Sequence, residues 1–214
     1  MSRFFPYTLS GQKVLGLNLL VPEPEEVRTL YEEDQAAGLL SPFPFWTRIW
    51  PSAMALSLFI ESHPQYIERK KILELGAGLA LPSIIASRYA DAVLATDYIE
   101  DAVWLMSQNI EALKLHNITA EMMDWHNLPE NINADTVLLS DINYSRDAFD
   151  ALHKVIERFL ENSSVIILTT PGRLVGNAFI ELLMPYIAYR EWTDVDGTEI
   201  LLAVLIKNPG EHGK

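Results

Sequence analysis

The sequence predicts an α/β protein built on one mostly parallel β-sheet with helices on both faces. The first observation is that short apolar segments of strand length alternate with longer segments of helical periodicity from Lys71 onwards. The second is that these strand segments are almost continuously apolar, as in parallel strands that helices cover on both sides. The third is a pair of closing strand segments around Asp196 and Gly197, a hairpin turn signal that adds an antiparallel strand.

The predicted elements of the main domain follow one another in a regular order. Seven segments predict strands: KILEL (71–75), AVLAT (92–96), ITAEMM (118–123), DTVLLS (135–140), SVIILTT (164–170), YREWTDV (189–195) and EILLAVLI (199–206). Five segments predict helices: PSAMALSLFIES (51–62), LPSIIASRYA (81–90), IEDAVWLMSQNIEALKLH (99–116), RDAFDALHKVIERFLEN (146–162) and GNAFIELLMPY (176–186). We therefore expect a seven-stranded sheet.

The segment before residue 48 has a different character, being irregular and rich in aromatic residues. KVLGLNLLV (13–21) predicts a strand. PEPEEVRTLYEEDQAAG (22–38) predicts a helix, because prolines and acids stand at its start and Gly38 at its end. SPFPFWTRIWP (41–51) is too rich in proline for regular structure, and we expect it to lay aromatic side chains over a neighbouring element.

Composition and charge exclude several classes of function. The chain has no cysteine and its five histidines form no H-x-x-x-H pair, so neither a disulfide nor a metal site is expected. A formal net charge of −13 disfavours nucleic acid as a partner. Apolar runs stay well short of about 18 residues, so no membrane span is expected. The start lacks the pattern of a secretion signal, and we expect a cytoplasmic protein.

Small and acidic residues follow the predicted strands at the edge where parallel sheets bind ligands. Gly76 and Gly78 let a ligand approach the backbone, although a plain strand-to-helix turn would also use them. Asp97 stands roughly twenty residues further on, where an acid can accept hydrogen bonds from both hydroxyls of a ribose or simply cap the next helix. Asp124 and Trp125 follow the third strand and can bind and stack on an adenine. These positions predict an adenosine pocket.

The type of adenosine cofactor follows from what the glycine loop lacks. A dinucleotide site uses three glycines in G-x-G-x-x-G, but Leu81 stands at the third position and Pro82 follows it. The loop therefore gives little support for a pyrophosphate. A sulfonium cofactor has no phosphate and carries positive charge, which acids such as Glu74 and Asp141 would suit.

Four motifs, in order through most of residues 46–206, resemble a known family. ILELGAGLALPSI (72–84) resembles the E-x-G-x-G motif of class I S-adenosylmethionine-dependent methyltransferases, with Ala80 at a position where glycine is common. WTRIWPSAMALSLFI (46–60) and DTVLLSDINY (135–144) resemble the tryptophan-proline helix and the D-x-x-Y motif of the seven-β-strand protein lysine methyltransferases. TTPGR (169–173) resembles the D-P-G-R of the group that methylates the electron-transfer flavoprotein β subunit and of its bacterial relatives, with Thr170 replacing the acid.

The resemblance implies a Rossmann-like class I methyltransferase fold and a division of the chain into three parts. Residues 48–207 would be the methyltransferase domain, residues 1–47 an N-terminal extension packed on it, and residues 208–214 a flexible tail. The implied cofactor is S-adenosyl-L-methionine, with S-adenosyl-L-homocysteine as its product. The implied cofactor-binding residues are Trp50, Glu74, Gly76, Ala77, Gly78, Asp97, Tyr98, Asp124, Trp125 and Ser140.

The implied catalytic residues are Asp141 and Tyr144, placed beside the transferred methyl group. Simpler roles stay open for two of the implied site residues. Trp50 can be a hydrophobic lid over the helix that it precedes. Asp141 can be a helix cap, a task that Ser145 is equally able to perform.

Three hypotheses about function remain open at this point. The first is a protein lysine methyltransferase, whose partner is a protein that presents a lysine. The second is a small-molecule methyltransferase, since one fold serves many acceptors. The third is a non-catalytic domain that binds S-adenosylmethionine. The sequence DINY (141–144) beside an intact glycine loop favours catalysis, but the sequence separates neither acceptor class nor oligomeric state.

Overall fold

The computed structural model of this chain describes residues 5–39, 43–142, 146–172 and 174–211. Its N-terminal part is a hairpin followed by a helix: β1 (Leu9–Val14), β2 (Leu17–Pro22) and α1 (Pro24–Ala36). The predicted helix is confirmed. The prediction of a single strand over residues 13–21 is wrong, because the chain reverses direction at Leu15 and Gly16. Their φ angles of 44° and 75° are the left-handed geometry of a two-residue hairpin turn.

The centre of the molecule is the predicted seven-stranded sheet, counted over the described ranges. Its strands are β3 (Lys71–Leu75), β4 (Ala92–Asp97), β5 (Ile118–Met122), β6 (Thr136–Ser140), β7 (Val165–Pro171), β8 (Ile187–Val195) and β9 (Thr198–Leu205). They lie in the order β5-β4-β3-β6-β7-β9-β8. The strand pairs from β5 to β7 are parallel, whereas β9 is antiparallel to both of its neighbours. The hairpin turn at Asp196 and Gly197, with φ angles of 52° and 78°, is confirmed.

Helices cover both faces of this sheet, as the apolar strands predicted. They are α2 (Pro51–Ser62), α3 (Leu81–Ala86), α4 (Glu100–Ala112), α5 (Phe149–Glu161) and α6 (Leu174–Leu183). One apolar cluster joins α2, α3 and α4 to one face, and a second joins α5 and α6 to the other. Strand alternation produces this division, because Ile72 of β3 belongs to the first cluster and Leu73 to the second.

Some helix ends differ from the prediction. The segment predicted as a helix over residues 81–90 is a regular α-helix only as far as Ala86. It continues as tighter turns, in which the N–H groups of Arg88 and Tyr89 donate to carbonyls three residues earlier. The last helix begins two residues before the predicted start at residue 176 and ends at Leu183, before a turn at Met184–Tyr186.

The N-terminal hairpin is attached to the sheet domain through one buried side chain. Asn109 of α4 accepts a hydrogen bond from the N–H of Leu20 at 2.7 Å and donates one to the carbonyl of Leu20 at 3.0 Å. Leu19 and Val21, on either side, are buried in the same apolar cluster as α4. Asn109 therefore satisfies both polar groups of a strand residue that has no sheet partner on that side.

The strand order also predicts where a ligand would bind. The chain winds from β3 through β4 to β5 and then crosses to β6 on the other side of β3. Such a reversal leaves a crevice at the carboxyl ends of β3 and β6, the usual ligand site of an open parallel sheet. No helix within the described ranges is long and apolar enough to cross a lipid bilayer.

Candidate functional site

A cavity of about 410 Å³ lies at the carboxyl edge of β3, β4 and β6. It is lined by most of the residues that the sequence predicted as a site: Trp50, Gly76, Ala77, Gly78, Asp97, Tyr98, Trp125, Ser140 and Asp141. Glu74 and Asp124 are not part of the lining. Tyr144 lies outside the described residues.

The floor of the cavity is the loop between β3 and α3. Gly76, Gly78 and Ala80 all have positive φ angles, of 65°, 55° and 55°. A side chain at Gly76 would place its Cβ atom only 3.2 Å from the ring of Trp125, and one at Gly78 would meet the backbone of Trp46 at 3.5 Å. Both the positive φ angle and the lack of space favour glycine at position 76, whereas at position 78 only the φ angle does, because a Cβ atom there would make ordinary contact with Trp46.

Asp97 joins this loop to the end of β4. Its Oδ2 atom accepts a hydrogen bond from the N–H of Gly78 at 3.0 Å, and its Oδ1 atom accepts one from the N–H of Ile99 at 3.0 Å. The side chain is only 5% exposed, and burial raises the pKa of its carboxyl despite these hydrogen bonds. Each oxygen keeps a second lone pair with which a ligand's hydroxyl groups can bond.

Glu74 lies beneath the loop and not in the cavity. Its Oε2 atom accepts hydrogen bonds from the backbone N–H of Ser83 at 3.0 Å and from the Ser83 hydroxyl at 2.6 Å. Glu74 therefore supplies the acceptor that the first turn of α3 needs, because Ala80 at the N-cap contributes no side-chain hydrogen bond. Complete burial raises the pKa of the Glu74 carboxyl to about 8.

Asp124 and Trp125 follow β5 but have different surroundings. Asp124 is 55% exposed, and its Oδ1 atom bonds the backbone N–H of His126 at 2.9 Å and the His126 ring at 2.8 Å. The hydrogen bond from the His126 N–H is the main reason that the pKa of the Asp124 carboxyl lies below its ordinary value. Trp125 turns its ring to the cavity floor at Gly76, and its buried Nε1–H has no hydrogen-bond partner among the described residues.

Ser140 and Asp141 form the wall at the end of β6. The N–H of Asp141 donates to the carbonyl of Thr169 on β7 at 2.8 Å, and its φ angle is 53°. Asp141 does not cap α5, because the N-cap of that helix is Ala148, seven residues further along the chain.

The front wall comes from the proline-rich segment before α2, of whose residues the sequence assigned only Trp50 to the site. Phe43, Pro44, Phe45, Trp46, Arg48 and Ile49 all line the cavity. Trp50 precedes α2, and its Nε1–H donates to the carbonyl of Phe45 at 2.7 Å. This segment has no helical or strand periodicity, so the sequence predicted aromatic covering but not which side chains turn inwards.

Two solved structures have the same fold with little sequence identity. A tRNA m1G37 methyltransferase of M. jannaschii aligns with a TM-score of 0.63 at 19% identity, covering 94% of this chain and 55% of that one. A Pyrococcus abyssi tRNA (uracil-54, C5)-methyltransferase in complex with S-adenosyl-L-homocysteine aligns with a TM-score of 0.60 at 16% identity, covering 96% and 46%. The sheet order and these alignments define a Rossmann-like class I methyltransferase fold, as predicted.

Sequence comparison then gives the family. A family model described as lysine methyltransferase matches residues 46–183, and this chain belongs to that family. The human electron transfer flavoprotein beta subunit lysine methyltransferase is 29% identical over 132 residues, which are 61% of this chain and 50% of the relative. The protein N-terminal and lysine N-methyltransferase efm7 of Schizosaccharomyces pombe is 28% identical over 176 residues, which are 75% and 66% of the two chains. The predicted resemblance to protein lysine methyltransferases is confirmed.

These matches do not extend over the whole of the relatives. The chain spans about half the length of the human relative and of a Cryptococcus neoformans EFM7, with which it shares 29% identity over 141 residues. The matched family region begins at residue 46, within the segment that forms the front wall of the cavity.

Proposed function

We propose that this chain is an S-adenosylmethionine-dependent methyltransferase that methylates a lysine side chain of a protein. The observation that carries the proposal is the meeting of the glycine loop, Asp97 and Asp141 around one cavity in a member of the lysine methyltransferase family. The names of the relatives support a lysine acceptor. The alternative is a small-molecule acceptor, and an experiment with labelled cofactor distinguishes the two acceptor classes.

The features of the cavity fit S-adenosylmethionine. Its volume of about 410 Å³ lies within the roughly 300–1,000 Å³ of ordinary ligand pockets. At the cavity floor a Cβ atom on Gly76 would crowd the Trp125 ring, and the buried Trp125 Nε1–H still needs an acceptor. Asp97 would accept hydrogen bonds from the ribose hydroxyls, and Trp125 would pack against the adenine. Asp124, whose carboxylate is exposed and bonded to His126, would reach the adenine only by turning away from that contact.

For methyl transfer to lysine, the protein has two main tasks. It aligns the amine with the methyl group, and it binds the lysine while the ammonium loses its proton. When bound, S-adenosylmethionine supplies a methyl group that is activated by its sulfonium. A lysine must first lose a proton, which costs about 4.6 kcal/mol at pH 7 from an ordinary pKa of about 10.4. Asp141, at the cavity wall, would bind the arriving ammonium and, once its proton has passed to solvent, orient the neutral amine. The lone pair of the amine would form the new bond to the methyl carbon as the bond from that carbon to sulfur breaks. Tyr144 would complete the acceptor pocket, as the D-x-x-Y resemblance implies.

Labelled cofactor tests this proposal directly. The purified protein would be incubated with methyl-labelled S-adenosylmethionine and a lysate of its source organism, and proteins would be separated from small molecules. We expect label in a protein, and mass spectrometry of its peptides should find the added methyl on a lysine. The Asp141→Asn protein serves as the matched control and should transfer little label. Label in small molecules alone would overturn the lysine assignment, and failure to bind the cofactor would overturn the whole proposal.

We also propose the division of the chain into an N-terminal extension (1–47), a methyltransferase domain (48–207) and a tail (208–214). The attachment of the hairpin through Asn109 and the family match from residue 46 support the first boundary. A cytoplasmic location is proposed with it, and the absence of cysteine from the sequence supports that location.

A further inference from the structure

Arg48 is the only basic side chain among the described residues that line the cavity. The other charged lining residues are two acids, Asp97 and Asp141. The proposed cofactor and the proposed lysine acceptor are both rich in positive charge, so a cation at this place requires an explanation.

The surroundings of Arg48 leave its hydrogen-bond donors available. Its guanidinium lies over the ring of Trp50, with its central carbon 3.6 Å from the ring centroid. The Trp50 ring is itself fixed, because its Nε1–H donates to the carbonyl of Phe45. No ion pair or hydrogen bond joins the Arg48 guanidinium to any of the described residues. A guanidinium packed over a fixed ring keeps N–H groups at its edge, where they can meet a planar anion.

The chemistry of the cofactor offers one such anion. S-adenosylmethionine carries a sulfonium and an α-ammonium, which suit acids, and a single α-carboxylate, which does not. Arginine is the side chain that best matches a carboxylate, because two parallel N–H groups bond the two oxygens. With Asp97 proposed for the ribose and Asp141 for the acceptor, a carboxylate partner is still required, and Arg48 is the side chain that can supply it.

We propose that Arg48 binds the α-carboxylate of S-adenosylmethionine, with Trp50 holding the guanidinium in place. This inference rests on the proposed function and adds a cofactor-binding residue from the front wall. It also gives the Trp50 ring an indirect role at the cofactor, through the orientation of Arg48. The alternative is that Arg48 is a surface cation packed on an aromatic ring, a contact that is indifferent to any ligand.

Two ligands that differ only in the carboxylate separate these readings. Calorimetry would measure the affinities of S-adenosylmethionine and decarboxylated S-adenosylmethionine for the wild-type protein and for Arg48→Ala. We expect Arg48→Ala to weaken S-adenosylmethionine binding roughly ten- to a hundredfold, the range for hydrogen bonds between charged groups. Binding of the decarboxylated ligand should change less than about twofold, because it has no group for Arg48 to bind.

Two further variants serve as controls. Arg28→Ala removes the same charge from an exposed ion pair with Glu32 on α1, and both ligands should bind it as they bind the wild type. Arg48→Lys keeps the charge without the planar fork, so it should recover only part of the lost affinity for S-adenosylmethionine. The melting temperatures of the ligand-free proteins report whether Arg48→Ala has disturbed the fold.

The affinities of the two ligands decide whether Arg48 binds the carboxylate. Equal losses for the two ligands would show that Arg48 only supports the wall, and an unchanged affinity for S-adenosylmethionine would show that it has no part in binding. Either result overturns the inference while the proposed function stands, because the wild-type protein still binds the cofactor. If the wild-type protein binds neither ligand, the proposed function fails and the inference fails with it.

Discussion

The carboxylate of Asp97 accepts a hydrogen bond from the backbone N–H of Gly78, with 3.0 Å between the two atoms. This bond joins the end of β4 to the glycine loop that follows β3, so one buried side chain both shapes the floor of the cavity and lines it. The second carboxylate oxygen accepts the N–H of Ile99, just before α4. Asp97 is therefore expected to serve both the fold and the cofactor.

Replacing Asp97 by Ala should reduce both stability and cofactor affinity. The N–H groups of Gly78 and Ile99 would lose their acceptor, at a cost of roughly 1–3 kcal/mol for each buried group left unpaired. Asp97→Asn keeps one acceptor oxygen and should lose less stability than Asp97→Ala. Urea unfolding and calorimetry with S-adenosylmethionine measure the two effects. Unchanged cofactor affinity in the Ala protein would remove Asp97 from the predicted ribose site.

Glu74 predicts a pH dependence of stability. Burial raises the pKa of its carboxyl to about 8 in the folded chain, against an ordinary value of 4.5. Between these values the folded chain holds a proton that the unfolded chain has released, so the stability contribution is complete below about pH 4.5 and is lost as the pH rises to about 8. The slope from this one group approaches about 1.4 kcal/mol per pH unit.

Glu74→Gln should remove this slope, because the amide is neutral at every pH and its oxygen can still accept from Ser83. The difference in unfolding free energy between the variant and the wild type should shift in favour of the variant as the pH rises through this range. Urea unfolding at several pH values measures it. Glu68→Gln, which removes an exposed carboxyl, is the control and should keep the wild-type pH dependence. Parallel curves for the wild type and Glu74→Gln would contradict the raised pKa.

The position of Glu74 also shows where sequence reasoning stops. The apolar runs and turn residues were sufficient to predict every strand of the main sheet and the closing hairpin. The resemblance then implied that Glu74 lines the cofactor site, but strand alternation places it on the same face as Ile72, towards α3. Packing, and not the motif itself, decides which helices cover each face of β3. It therefore also decides which side chains of the motif are buried and which line the cavity.

The structure differs from the sequence prediction at two other site positions, and each difference has a local cause. The spacing of Asp124 and His126 is that of an Asx turn, a signal that could have predicted the hydrogen bond between them. The position of the exposed Arg48 at the edge of the cavity had no such signal, because the described part of the segment around it contains only one short 3-10 turn, at Phe45–Thr47, and otherwise packs through aromatic contacts. Its place depends on Trp50 and Phe45, which come together only in the folded chain.

The hydrogen bonds of Asn109 are expected to stabilise the packing of the N-terminal hairpin on the sheet domain. Asn109→Ala would leave the buried N–H and carbonyl of Leu20 without partners, at roughly 1–3 kcal/mol for each. We expect the amides of β2 to exchange with solvent faster while those of the central sheet keep their protection. Ser107→Ala is the matched control on α4, because its hydroxyl bonds only the carbonyl of Val103 in the same helix. Equal hydrogen exchange in both variants would mean that other contacts, such as those of Leu19 and Val21 with the apolar cluster, hold the hairpin without Asn109.

Asp141 is predicted to act on the methyl acceptor and not on the cofactor. It lies at the end of β6 on the cavity wall, and its φ angle of 53° is one that Asn tolerates as well as Asp does. Asp141→Asn therefore removes the charge without straining the backbone, which makes it a cleaner test than Ala.

Because Asp97, the glycine loop and Arg48 account for the polar contacts proposed for the cofactor, S-adenosylmethionine should bind Asp141→Asn with near-normal affinity. Methyl transfer should fall by roughly two to three powers of ten, which corresponds to about 3–4 kcal/mol of transition-state stabilisation. Tyr144→Phe should cost less if the ring face matters more than the hydroxyl. Calorimetry and single-turnover transfer to the identified acceptor separate binding from chemistry. Full transfer by Asp141→Asn, or an acceptor whose nucleophile is not an amine, would remove the ammonium-binding role from Asp141.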